Sequence, residues 1–206
     1  MRPVLLFLLG SIPVFAQPFS AGIKAGIPLT DFLDAAGNGT FDYNAPTQRY
    51  IIGGVAELRL PLGIGVEFDA LYRRLSYTGS GTLAGNLTTI SASGSDWEFP
   101  LLLKYRFHFP VVKPYLDAGV AWDTVAGLKQ TASQASSAVL GTPAPAVTQN
   151  TTMGFVVGGG VDIHAVFLHI SPEIRFTRWN SAQISDALGL LHSNLNQGEF
   201  LVGFTF

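Results

Sequence analysis

Apolar and polar residues alternate with a period of two along most of this chain. From Phe19 to Leu29 the residues Phe19, Ala21, Ile23, Ala25, Ile27 and Leu29 share one face, and Ser20, Gly22, Lys24 and Gly26 the other. The same rule holds over Tyr50 to Leu60, Ile64 to Tyr77, Trp97 to Phe107, Tyr115 to Trp122, Met153 to Ile163, Leu168 to Thr177, and Phe200 to Phe206. Successive side chains of a strand point to opposite faces, so alternation repeated this often predicts strands. The best helical window, Gly154 to Ile170, holds Asp162, His164, His169 and four glycines, so no membrane-spanning helix is expected there.

The connections alternate as well. Short turns are expected at Pro61-Leu62-Gly63, around Phe109 to Lys113, and at His164-Ala165-Val166. Long segments are expected at Thr30 to Arg49, Thr78 to Asp96, Val125 to Thr151 and Trp179 to Gly198. Eight strands joined alternately by short and long connections predict an all-β fold, an eight-stranded antiparallel up-and-down barrel with one smooth rim. An even strand number brings both chain ends to the short-turn rim.

Alternation alone does not say which face meets the core, and a soluble barrel with its apolar set inward shares the pattern. Composition changes the picture. Only 13% of the 206 residues are charged, 12 basic against 14 acidic, while glycine reaches 23. The polar face carries those glycines together with Lys24, Glu57, Arg59, Glu67, Asp69, Arg73, Glu98, Lys104, Arg106, Asp117, Asp162, Glu173 and Arg175. Small residues and charges of both signs suit the crowded inside of an eight-stranded cylinder, whose side chains just fill it. The apolar face gathers aromatics toward strand ends, among them Tyr50, Tyr72, Trp97, Tyr105 and Trp122, as interfacial girdles of a membrane barrel would. The apolar face is therefore expected to meet lipid, and the thirteen charges to pair inside.

The first sixteen residues are set apart. Met1-Arg2 precedes an apolar run from Val4 to Phe15, and Val14-Phe15-Ala16 places small residues before Gln17. That pattern predicts a secretory leader over 1–16, with the barrel domain over 17–206. The absence of cysteine excludes a disulfide framework and a thiolate site, and a net charge of -2 argues against nucleic-acid binding.

Two stretches carry a family resemblance. Trp97-Glu98-Phe99-Pro100-Leu101-Leu102-Leu103-Lys104-Tyr105, followed by Pro114-Tyr115-Leu116-Asp117-Ala118-Gly119, resembles the paired-strand signature of the OmpA/OmpX-like outer-membrane β-barrel domains. The opening Ala21-Gly22-Ile23-Lys24-Ala25-Gly26 and the closing Phe204-Thr205-Phe206 are similar too. The resemblance implies residence in a bacterial outer membrane and recognition of Phe206 by the barrel-assembly machinery. It does not imply an activity, because fold does not fix function.

Candidate chemistry is thin. His169-x-Ser171 near Glu173 is superficially similar to the His/Ser pair of lipid A deacylases, yet its parity turns it to the lumen, away from acyl chains. His108, His164 and His192 have no metal-site spacing. Gly158-Gly159-Gly160 lacks the following helix that a phosphate cradle needs. Asn38-Gly39-Thr40 and Asn86-Leu87-Thr88 match a glycosylation pattern without consequence in a bacterial chain. No catalytic, cofactor or metal residue is expected. The reading is a monomeric, non-enzymatic surface barrel whose neighbours are outer-membrane lipid and lipopolysaccharide and whose loops meet an environmental or host partner. The alternative is a small solute pore or transporter, and a lipid-A-modifying enzyme stands behind both.

Overall fold

Each alternating segment forms a strand. The computed structural model describes residues 18–35, 41–44, 50–83, 86–109, 112–134, 146–147, 150–165, 168–185 and 191–206. The expected leader over 1–16 and the Asn38 motif lie outside them. Eight long strands build the body: β1 (Phe19–Pro28), β2 (Ile51–Arg59), β3 (Ile64–Leu83), β4 (Asn86–Arg106), β5 (Val112–Gln134), β6 (Thr151–Ala165), β7 (Leu168–Trp179) and β8 (Asn196–Thr205). Each pairs antiparallel with its sequence neighbour, and β1 pairs with β8, so the sheet closes on itself. Closure satisfies the edge N–H and C=O groups that an open sheet would leave bare.

The two rims differ as expected. At the smooth end Pro61–Gly63 turns β2 into β3 with Leu62 and Gly63 in the left-handed region, at φ 68° and 80°. The backbones of Ala21 and Phe206 exchange two hydrogen bonds there, at 3.1 and 3.3 Å, which seats both ends of the barrel at this rim.

The long connections depart from expectation. Thr78 to Asp96 is not a loop: β3 and β4 continue as one hairpin to Leu83 and Asn86, with an irregularity between Ser93 and Ser95. Val125 to Gln134 likewise continues β5 against β4. These stretches lost their apolar alternation because the ladder itself satisfies the backbone, and Ser, Thr and Gly suffice where no apolar surface must be covered. A short strand, Phe41–Asn44, adds to the extended part of β3. Four more segments, in the order Leu33–Ala35, Leu191–Ser193, Ile184–Ser185 and Ala146–Val147, form a small separate sheet from the long connections.

Face assignment follows the period. Leu103, Ile174, Leu116 and Val157 stand 61%, 61%, 59% and 53% exposed on the outside, whereas Lys24, Lys104 and Arg175 are buried within. Two apolar clusters also sit inside, Leu102 with Ala121, Val156 and Trp179, and Ile51 with Leu71 and Leu201.

Candidate functional site

The charged lumen is the one place where chemistry-bearing side chains converge among the described residues. Twelve of the thirteen expected charges are buried; Arg59, at the smooth rim, is only partly so. They fall into layers along the axis.

At mid-height Lys24 of β1 reaches Glu67 at 2.6 Å, Asp69 at 3.0 Å and Glu173 at 3.2 Å. Arg175 lies 2.7 Å from Glu173, 2.9 Å from Asp69 and 3.5 Å from Glu67. Lys104 pairs with Glu67 and sits 4.1 Å above the Tyr115 ring. Glu67 thus meets three cations, and Tyr115 donates its hydroxyl to Glu173 at 3.1 Å. Strand register sets this up: β3 offers Glu67 and Asp69 on one face, β7 offers Glu173 and Arg175. Gly158 and Gly160 of β6 leave the room, since a Cβ on Gly158 would lie 2.5 Å from Asp117 and one on Gly160 would lie 2.6 Å from the Tyr115 hydroxyl. The triple-glycine run therefore serves close packing.

At the smooth end Arg106 pairs with Glu57 and, at 3.1 Å, with Asp162. His169 contacts Asp162 through Nδ1 at 3.1 Å, while its Nε2 lies 3.2 Å from Arg59 and 3.0 Å from His164. This ring is engaged with those three partners, and among the described residues no hydrogen bond joins it to Ser171.

Near the long-loop end Arg73 pairs with Asp96, with Glu199 at 3.3 Å and with Asp123 at 3.5 Å. The Phe32 ring covers its guanidinium at 4.5 Å. Asp96, Asp123 and Glu199 were missing from the expected set because they fall at or beyond the ends of the assigned segments. Parity could have found them, since each continues the inward face of Glu98, Asp117 and Leu201 respectively. Glu98 and Asp117 are buried but lack an ion pair among the described residues.

The five expected girdle aromatics face outward. Tyr50, Trp97, Tyr105 and Trp122 are exposed, and Tyr72 packs on Trp97 with ring centroids 5.2 Å apart. Phe206 is 74% exposed at the smooth rim.

The long-loop end is roofed. Gln183 donates to the Asp123 carbonyl at 2.7 Å, its backbone N–H donates to Ser193 Oγ at 2.8 Å, and Phe32 and the small sheet's own Ile184 are buried.

No protein-family model matches the sequence, and no curated protein is significantly similar to it. Solved structures are similar. The outer membrane protein OprG from Pseudomonas aeruginosa matches with a TM-score of 0.55 at 14% identity, over 91% of this chain and 92% of that one. Neisserial surface protein A matches over 91% and 96% with a TM-score of 0.44 at 14% identity. The N-terminal β-barrel domain of Pseudomonas aeruginosa OprF matches over 91% and 97%, at 0.40 and 13%. The match to OprG carries the fold, and it agrees with the closed ladder traced strand by strand above. This chain has the fold of the small eight-stranded outer-membrane β-barrels, as its resemblance to the OmpA/OmpX-like domains implies.

Proposed function

We propose that this chain is an exported, non-enzymatic protein of the bacterial outer membrane, a rigid barrel that displays its long connections at the cell surface. One observation carries the reading: large apolar side chains stand exposed around the cylinder while the charges pair inside. Ile23, Leu58, Phe68, Leu103, Phe155 and Ile174, from six different strands, are 44–65% exposed. Water tolerates contiguous apolar surface of this kind poorly. A bilayer is its natural solvent, because a closed barrel also leaves no backbone group unsatisfied.

A structural role is favoured over conduction by the filled mid-height of the lumen, where Lys24, Glu67, Asp69, Glu173 and Arg175 meet across the axis. The engagement of His169 with Asp162 and Arg59 speaks against the deacylase reading. In this reading the leader over 1–16 is removed on export, Phe206 is read by the barrel-assembly machinery, and the barrel sits as a monomer among lipid and lipopolysaccharide. No cofactor or metal enters it.

The test is expression of the full chain with its leader, followed by membrane fractionation, heat-modifiable gel migration and planar-bilayer recording. Recovery in the outer membrane, faster migration unheated and no discrete conductance are expected. A protein that stays soluble without detergent overturns the membrane reading, and stable unitary currents overturn the structural one.

A further inference from the structure

The outward face of the strands is apolar until it nears the long-loop end, and there it changes. Among the described side chains of that face two are charged, Arg74 on β3 and Arg178 on β7, and both are exposed. Each follows the last outward aromatic of its strand, Tyr72 and Phe176. No carboxylate among the described residues pairs with either. The charges inside the barrel are of both signs, whereas those on this outer rim are cationic. An arginine facing lipid is costly at the bilayer midplane and costs little at its edge, so the two positions mark an interface.

The surroundings of the two arginines differ. Arg178 donates to Asn196 Oδ1 at 2.5 Å. Arg74 pairs in the ladder with Ser95 of β4, and Tyr72 pairs with Trp97, so these four residues share one outward patch. Tyr72 Oη lies 3.3 Å from Ser95 Oγ, and either hydroxyl can be the donor. Whichever donates, the hydrogen of the accepting hydroxyl remains for another partner. The patch thus combines a guanidinium fork with a hydroxyl donor.

Below it, toward mid-height, the rings form a strip. Trp97 and Phe99 have centroids 6.2 Å apart and planes within 8°, and Phe99 and Phe68 follow at 6.4 Å and 13°. Phe68 and Trp97 are 44% and 39% exposed. Near-parallel rings give a broad, flat apolar surface, and it leads from the donors into the lipid-facing belt. Phenylalanines in the hydrocarbon, Trp and Tyr at the headgroup level and a cation above them complement an amphiphile with an anionic head.

We infer that the outward face of β3 and β4 at the long-loop end binds a phosphorylated glycolipid, the lipid A portion of lipopolysaccharide. One phosphate sits on Arg74, Tyr72 and Ser95, and an acyl chain lies along Trp97, Phe99 and Phe68. The inference rests on the outer-membrane reading above, which puts this end of the barrel in the outer leaflet. Arginine takes phosphate oxygens in pairs through charge-assisted N–H bonds. The C–H face of a sugar ring stacks on an indole, and a phospholipid of the same charge lacks that ring.

The test uses the full chain refolded into detergent micelles and titrated with diphosphoryl lipid A, with bound lipid counted by native mass spectrometry. Saturable retention of lipid A is expected. Dephosphorylated lipid A and phosphatidylglycerol are each expected to bind at least about tenfold more weakly. Arg74→Gln is expected to weaken lipid A binding by at least about tenfold, with its folding checked by heat-modifiable migration. Arg178→Gln, which removes the other outward cation, is expected to change it by less than about twofold. Should Arg74→Gln fail to fold, Ser95→Ala, which keeps the charge and removes one hydroxyl, is expected to weaken binding a few-fold in its place. No retained lipid A, equal binding of phosphatidylglycerol or of the dephosphorylated lipid, or equal losses in the two arginine variants overturns the inference. A barrel that needs detergent yet draws none of these distinctions leaves the outer-membrane reading standing, whereas a chain soluble without detergent overturns both.

Discussion

Gly160 and Tyr115 face each other across the β5–β6 ladder, and the absent side chain of Gly160 is what lets the Tyr115 hydroxyl reach Glu173 at 3.1 Å. A Cβ at Gly160 would also meet the Pro172 carbonyl, which belongs to the backbone and cannot swing away. Gly160→Ala is therefore expected to destabilise by about 1–3 kcal/mol through overpacking. Tyr115→Phe, which removes only the hydroxyl, should cost about 1 kcal/mol. Urea unfolding of both variants in lipid vesicles ranks them, and an alanine variant as stable as wild type would contradict the crowding.

Glu67 is the anion that Lys24, Lys104 and Arg175 share. Replacing it by alanine leaves buried cations short of a partner and should cost about 3–5 kcal/mol. Arg59 lies at the rim, with a quarter of its side chain exposed, 3.7 Å from Glu57. Arg59→Ala is expected to cost less than about 1 kcal/mol. Equal midpoints for the two variants would mean that the mid-height layer contributes no more than the rim.

The outer belt is expected to comprise Val66, Phe68, Leu101, Leu103, Val157, Ile170, Ile174, Val202 and Phe204. Leu103, exposed outward on β4, is the sharpest probe. Leu103→Arg should destabilise by roughly 2–4 kcal/mol if that position lies at the bilayer midplane. Ser91→Arg, on the extension of the same strand, should stay within about 0.5 kcal/mol of wild type. A Leu103→Arg protein recovered normally from outer membranes would refute the lipid-facing assignment.

Phe206 bonds Ala21 through its backbone while its ring stands in the open. Deleting Phe206 is expected to lower the yield of assembled barrel in cells more than it lowers the unfolding midpoint of barrel refolded in vitro. Parallel loss of both would make Phe206 an ordinary structural contact; loss of yield alone supports an address read during assembly.

Strand number and the two faces of each strand were legible because both read from a period of two, and the glycines and mixed charges of the polar face said which one turns inward. Lys24, Glu67, Glu173 and Arg175 were identifiable for the same reason. The extended hairpin of β3 and β4 was not, because beyond the apolar surface a strand needs only its ladder, and Ser, Thr and Gly there look like loop. Asp96, Asp123 and Glu199 were lost with those boundaries, although their parity was correct.

By itself the sequence determined the alternation, and with it a closed sheet with apolar and charged faces, since side-chain direction in a strand is a local property. Only the tertiary structure decided which charges meet. Lys24 finds Glu67, Asp69 and Glu173 across sequence separations of 43, 45 and 149 residues, through the stagger of strands around the cylinder. The surplus of acid around Arg73 is likewise a property of the layer. Asp96, Asp123 and Glu199 come from three strands, and only closure of the barrel brings them to one guanidinium.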